Sequence, residues 1–478
     1  MVFSSLTFIF VFLPVFLAIY YGAPQRFKNP VALMGSYFFY AWGEPRFVLI
    51  LLASSLIDYH LGRRLALPAS GSDQRRMVLA LSLILNVGCL AFFKYANFAV
   101  DQANNLLAFS GSPPWTWETV ALPIGISFFT FQKISYMVDV YRGTVGPARS
   151  FVNYALYVAL FPQLIAGPII RYHDVARQIE TRLHNLTIFS EGVWRFSLGL
   201  GKKVLIANPM GQVADLAFSG GDGVLALPLA WLGILAYSFQ IYFDFAGYSD
   251  MAIGLGRMMG FRFLENFNRP YISRSITEFW RRWHISLSNW MREYLYIPLG
   301  GNRKSRGHTY ANLWIVFLIS GLWHGAAWNF IFWGAYHGFF LTLERTPLLA
   351  WRKRLPGLPA ALLTFLIVAV GWVFFRAETL PQALAYLGRM VDLSALDPGP
   401  LILEWREVLT PRTLLVFLAA GLISFFPEIG GRQQWFPSLR QVPGLALGFR
   451  YTTAGVLLIL AVASLATLSF NPFIYFRF

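Results

Sequence analysis

Apolar residues run through this chain in long blocks instead of alternating with polar ones. Blocks occur at residues 8–21, 31–42, 47–57, 77–93, 122–136, 151–170, 225–242, 311–343, 359–375, 413–426 and 452–470. A helix of roughly 20 apolar residues crosses the ~30 Å hydrocarbon core of a bilayer. Several blocks are shorter or carry Pro and Gly, as tilted, broken or re-entrant segments do. The pattern predicts an all-α fold, a polytopic transmembrane helical bundle of ten to thirteen membrane segments. It also predicts a single integral-membrane domain over residues 1–478, with a motif-bearing core at 120–345 and flanking helices at 1–119 and 346–478. The first block has no basic region before it and no small-x-small cleavage site, so it reads as a retained helix and not a signal peptide.

Composition sharpens the membrane reading. Hydrophobic residues make up 56% of the chain and charged ones 13%, about half the charged share of a soluble globular protein. Mean hydropathy is +0.52. The net charge of +16 would suggest nucleic acid in a soluble protein. In a membrane protein it reflects loops facing anionic headgroups and the positive-inside bias, so no nucleic-acid partner is expected and membrane lipid is. The densest basic loops are Arg63, Arg64, Arg75 and Arg76; Arg303, Lys304 and Arg306; and Arg352, Lys353 and Arg354, all expected on the cytoplasmic side. The single cysteine, Cys89, excludes an intrachain disulfide and a Cys-based metal site, and inside an apolar helix it reads as a packing residue. No metal-ligand cluster, Gly-rich phosphate loop or Ser-His-Asp arrangement is discernible, so no metal and no permanently bound cofactor is expected.

Against this background the informative residues are the polar ones in apolar surroundings. Gly321-Leu322-Trp323-His324-Gly325 lies inside the 311–343 block. With cytoplasmic loops on both sides, that block must enter the membrane and return. His324, 14 residues past Tyr310, then lies roughly 21 Å along the helix, near a glycine-marked turn. A titratable group at that depth is by default a functional-site hypothesis, and the flanking glycines permit close approach of backbone or ligand. Taken on residues alone, His324 is a catalytic, pore-lining or packing residue. His337, 13 residues on, falls on a different helical face and reads as structural. His173, His184 and His308 sit in polar loops and read as solvated; His60 reads as interfacial.

A second cluster begins with Gln240 and runs to Asp250. Asp244 and Tyr248 lie one helical turn apart and can share a hydrogen bond on one face. Asp244 is a helix–helix hydrogen-bonding residue or a catalytic one. The loop Glu265-Asn266-Phe267-Asn268-Arg269-Pro270-Tyr271 follows. The segment from Ser275 to Ser288, with Trp280, Arg281, Arg282, Trp283 and His284, reads as an interfacial amphipathic helix with a Ser275/Glu278 capping box. Such a segment anchors at the headgroup level or walls a pocket, and the residues leave both open.

Several of these stretches carry a resemblance. Phe161-Pro162-Gln163-Leu164-Ile165-Ala166-Gly167-Pro168, the run from Tyr242 to Asp250, Glu278-Phe279-Trp280-Arg281-Arg282-Trp283-His284-Ile285-Ser286 and Gly321-Leu322-Trp323-His324-Gly325 resemble the signatures of membrane-bound O-acyltransferases. They are most similar to the bacterial branch that includes the membrane subunit of alginate O-acetyltransferase. The opening Met1-Val2-Phe3-Ser4-Ser5 and the terminal Phe473-Ile474-Tyr475-Phe476-Arg477-Phe478 resemble the same branch, so the likeness covers essentially the whole chain. Teichoic-acid D-alanyltransferase membrane subunits share the two histidine motifs more distantly.

The resemblance implies acyl transfer across a bacterial inner membrane, with acetyl-CoA as the expected cytoplasmic donor. It makes His324 the essential histidine and His284 the second polar residue of the pocket, with Trp323, Arg281, Trp280, Asp244 and Tyr248 as candidate substrate-binding residues. The chemistry is consistent from the residues upward. A thioester is already activated, so the enzyme must raise the nucleophilicity of a hydroxyl and stabilise an oxyanion. Desolvation keeps His324 neutral and able to accept a proton. His284 or a neighbouring group can orient that base or donate to the oxyanion. Arg303, Lys304 and Arg306 can meet the phosphates of coenzyme A. No large periplasmic esterase-like domain is present, so a periplasmic acetyltransferase or acetyl-carrier protein of an exopolysaccharide system is the expected partner. D-alanyl or other acyl transfer to an envelope polymer is an alternative, as is a transporter or flippase, although no repeat halves of the transporter kind are visible.

Overall fold

A computed structural model describes residues 1–67, 71–219, 225–348, 355–397, 403–425, 443–467, 470 and 474. The basic loop at residues 352–354 and all of the terminal motif except Ile474 lie outside them. Among the described residues every regular element is helical. Four helices are individually long and apolar enough to cross a bilayer: Ser72–Phe109, Leu227–Met258, Gly357–Arg376 and Gly448–Thr467. Phe8–Gly22 and Pro411–Phe425 are shorter apolar helices. The chain is a multi-pass, all-α membrane protein.

Two compact units form, Met1–Phe189 with Leu255–Leu264, and Ser190–Gly254 with Glu265–Phe478. In the first, the 151–170 block does not form one span. It breaks into Phe151–Ala159 and Phe161–Leu164, because Pro162 cannot continue the preceding helix. The backbone N–H of Phe161 donates to Ser36 Oγ (3.1 Å), and its ring packs edge-on against Phe12 and Phe16 at 5.5 and 5.2 Å. One buried charge of this unit is shared between helices. Asp58 accepts from Ser82 Oγ (2.7 Å) and Asn86 Nδ2 (2.9 Å) and faces Lys133 Nζ at 3.5 Å, so three helices share one buried carboxylate. Two loop histidines expected to be solvated are instead bonded: His173 Nδ1 meets Asp139 Oδ2 at 2.7 Å, and His184 Nε2 meets Tyr20 Oη at 2.9 Å. His308, in the second unit, likewise meets the Leu299 carbonyl at 2.8 Å.

In the second unit, Leu227–Met258 is one continuous helix through the whole polar run of 240–250. The block at 311–343 forms the expected hairpin: Arg306–His324, a turn at Gly325–Ala327, and Trp328–Leu343. The glycines make its two arms possible. A Cβ on Gly321 would collide with the Phe330 carbonyl oxygen, and one on Gly334 with the Phe317 carbonyl oxygen, so the backbones touch where these residues face each other. Close approach at this point is backbone on backbone. Gly325 likewise makes room for the Phe330 ring.

Candidate active site

The segment read as one amphipathic helix is broken at its histidine. Ile276–Arg282 ends at Trp283, and a new helix, Ile285–Met291, begins after His284, whose backbone is left-handed at φ 43°. That conformation costs an L residue about 1–2 kcal/mol. The loop at 266–268 offsets it by taking up the backbone groups the break exposes. Ile285 N donates to Asn266 O (2.9 Å) and Asn268 N to Arg282 O (2.8 Å). The N-cap half of the expected capping box forms, with Glu278 N donating to Ser275 Oγ (2.8 Å). The Glu278 carboxylate turns instead to Arg274 N (2.8 Å) and Arg282 Nε (2.9 Å). Ile276, Phe279, Trp280 and Trp283 are buried, so the segment walls the protein core.

Asn266 sets the chemistry of His284. Its Oδ1 accepts from Ser286 N (3.2 Å) and Ser286 Oγ (2.8 Å), and it lies 3.1 Å from His284 Nδ1. An amide oxygen cannot donate, so Nδ1 carries the proton and Nε2 keeps its lone pair. His284 is 1% exposed, and Nε2 has no protein partner. In this tautomer it is a hydrogen-bond acceptor, which removes it as a neutral donor to an oxyanion.

His324 is the last residue of Arg306–His324. Its ring is enclosed edge-on by Trp323, Trp333 and Phe375, at 4.9, 5.0 and 5.0 Å. Trp323 bridges the two histidines, 6.1 Å from the His284 ring.

A cavity of about 490 Å³ is walled by Trp280 and Arg281, by Leu287, Ser288, Met291 and Arg292, and by Leu313, Val316, Phe317 and Ser320. Arg303, Leu341 and Arg345 also line it. The spacing shows where it leads. Positions 313, 316, 317 and 320 form one helical face, and the next position on that face is 324. Positions 292, 291, 288 and 287 form another, in the short helix that starts just after His284. His324 therefore continues one lining face, and His284 immediately precedes the helix that carries the other. The loop between the faces is pinned by Asn312 Nδ2 on the Gly301 carbonyl (2.9 Å). The exposed arginines Arg281, Arg292, Arg303 and Arg345 give the cavity a cationic rim above apolar walls.

Of the residues singled out in the sequence, Trp280 and Arg281 line the cavity, and Trp323 touches both His284 and His324. Asp244 does not join them. It pairs with Lys203 Nζ at 2.8 Å and accepts from Ile474 N at 2.9 Å, a buried ion pair that ties Leu227–Met258 to the π-helical segment Lys202–Ala207. Tyr248 is buried on the same long helix. Its neighbour Phe245 does reach the site, edge-on to His284 at 4.7 Å. Lys304 and Arg306 flank Arg303 without lining the cavity. Asn266, Arg292 and Arg345 have no site role in the sequence pattern; only Asn266 carried a signal, as an amide in a polar loop between apolar segments.

Comparison with known proteins gives this geometry its family. The MBOAT, membrane-bound O-acyltransferase family profile matches residues 146–354, a span that holds both histidines. A probable alginate O-acetylase of Pseudomonas putida is 44% identical over 495 aligned positions covering all of both chains. A peptidoglycan O-acetyltransferase of Helicobacter pylori is 38% identical over 86% of this chain and 83% of its own. A teichoic acid D-alanyltransferase of Bacillus subtilis is 28% identical over 53% of this chain and 69% of its own. The chain belongs to the membrane-bound O-acyltransferase family, and it is an O-acetyltransferase.

Proposed function

We propose that this protein, in a bacterial inner membrane, passes an acetyl group from cytoplasmic acetyl-CoA toward the exported side for O-acetylation of an exported alginate-like or cellulose-like polysaccharide. A periplasmic acetyltransferase or acetyl-carrier protein completes delivery to the sugar. The names of the relatives support a polysaccharide acceptor, two of them being an alginate O-acetylase and a peptidoglycan O-acetyltransferase.

The observation that carries the donor side is the cavity: a rim with four arginines and apolar walls, one of them the helical face whose next position is His324. A thioester arm fits such a passage, because the charged nucleotide stays with the arginines while the apolar walls take the arm. Carrying the whole nucleotide through about 30 Å of low-dielectric core would be prohibitive. His324 takes the proton of the acceptor hydroxyl as its oxygen attacks the thioester carbonyl. The C–S bond then breaks, and His324 returns the proton to the leaving sulfur. General-base help of this kind contributes about 10² to 10⁴-fold. His284 Nε2 accepts a hydrogen bond and orients an incoming N–H or O–H group.

Sealed vesicles of both orientations test the reading. Labelled acetyl-CoA supplied outside is expected to acetylate acceptor only when the cytoplasmic face is outward. His324→Ala is expected to insert normally and abolish transfer. Equal labelling of both orientations would overturn the topology, and normal transfer by His324→Ala at normal protein levels would overturn the mechanism.

A further inference from the structure

His337, expected to be structural, sits against the cavity wall in a setting that packing alone does not explain. Its ring is completely buried and forms a triangle with two indoles: Trp280 at 5.2 Å, Trp333 at 5.1 Å, and 5.6 Å between the indoles. The Phe279 ring lies parallel to the imidazole at 6.4 Å. Neither His337 nitrogen has a hydrogen-bond partner, and neither do Trp280 Nε1 and Trp333 Nε1. Buried polar atoms are nearly always paired, so four orphans on three touching rings mark a place where a bound group supplies the partners.

The inventory of those atoms says what kind of group. A neutral imidazole brings one N–H and one lone pair, and each indole brings one N–H. Three donors against one acceptor call for a ligand rich in acceptors that still offers one donor. Water and sugar hydroxyls bring donors in equal measure and leave the set unbalanced. A chain of amide and thioester carbonyls with an amide N–H fits it. The position agrees: Leu341, one helical turn from His337, lines the cavity, as does Arg345 in the turn beyond, and Trp280 is itself part of the wall. Trp333 stands between the imidazoles of His337 and His324, 5.0 Å from the latter.

We infer that His337, with the indole N–H groups of Trp280 and Trp333, is a binding subsite for the carbonyl groups of the acyl donor's thioester arm. The inference rests on the donor reading above. The subsite holds the arm one ring away from His324, so that the thioester, not the amides behind it, reaches the base.

The test is equilibrium binding of labelled acetyl-CoA to the full-length protein in nanodiscs, which needs no acceptor. His337→Phe keeps the ring and removes both nitrogens; it is expected to weaken binding about tenfold, the loss of one well-placed hydrogen bond. His337→Gln, which restores a donor and an acceptor, is expected to recover most of that loss. Should His337→Phe fail to fold, Trp280→Phe, which deletes one N–H of the triangle, is scored by the same criterion. Wild-type protein that binds no acetyl-CoA overturns the donor reading. Wild-type binding that the phenylalanine variant leaves unchanged overturns this inference alone, and so does a glutamine variant no better than phenylalanine.

Discussion

Asn266 is the residue on which the geometry of His284 depends, and Asn266→Ala measures that dependence. Its Oδ1 serves three donors at 2.8 to 3.2 Å, and its Nδ2 donates to Ser249 Oγ at 3.2 Å, all at a site 1% exposed. The Ser286 hydroxyl can rotate to another acceptor. The His284 ring N–H and the Ser286 backbone N–H cannot. Two buried donors left unpaired, at about 1–3 kcal/mol each, put the loss of stability at about 2–6 kcal/mol. The left-handed backbone of His284 adds its own strain once nothing holds it. The ring then loses both its orientation and its fixed tautomer, and a displacement on the order of 1 Å costs up to about 10²-fold in rate. Thermal unfolding followed by tryptophan fluorescence in nanodiscs, alongside acetyl transfer in vesicles, reads both effects. Asn266→Ala is expected to lower the unfolding midpoint and reduce transfer about 10 to 10²-fold. A variant with wild-type transfer and midpoint would refute the argument that Asn266 positions the histidine.

Two further outcomes follow from particular side chains. His284→Ala is expected to reduce acetyl transfer substantially and His284→Asn less, because asparagine tolerates the left-handed backbone and its amide accepts a hydrogen bond; if both variants matched wild type in the vesicle assay, His284 would be reduced to a packing residue. The hydrogen bond to Asp139 raises the His173 pKa above its ordinary value, against the opposing effect of burial. A raised folded-state value means that the stabilisation is complete below the unfolded value of about 6.5 and fades as pH climbs through the raised one. Unfolding midpoints measured from pH 6 to 9 are expected to fall more steeply for wild type than for Asp139→Asn, and parallel curves would remove His173 from the account.

Much of the site was legible because membrane burial makes polar residues conspicuous. The hairpin around His324 followed from a long apolar block and a glycine-marked turn. The break at His284 did not, since Trp and Arg recur with helical spacing through it; its cause, Asn266, lies 18 residues earlier, beyond any local pattern. His337 was assigned to another face by counting helical rotation from His324, but the turn at Gly325–Ala327 reverses the chain and rotation does not carry across it. Asp244 invited a partner on its own helix, whereas the cation it meets, Lys203, belongs to another. The Ser72–Phe109 helix outran its apolar block because Lys94 and Asp101 end the hydrophobic pattern without ending the hydrogen-bonded ladder.

The cavity walls all come from one unbroken stretch of chain, from Thr277 in the first short helix to Arg345 just past the hairpin. Rim, passage and both histidines thus travel together as a single inheritable cassette. Its supports come from outside that stretch: Asn266 and Phe245 hold His284 and Phe375 encloses His324, so any change in the cassette has to stay compatible with those three neighbours.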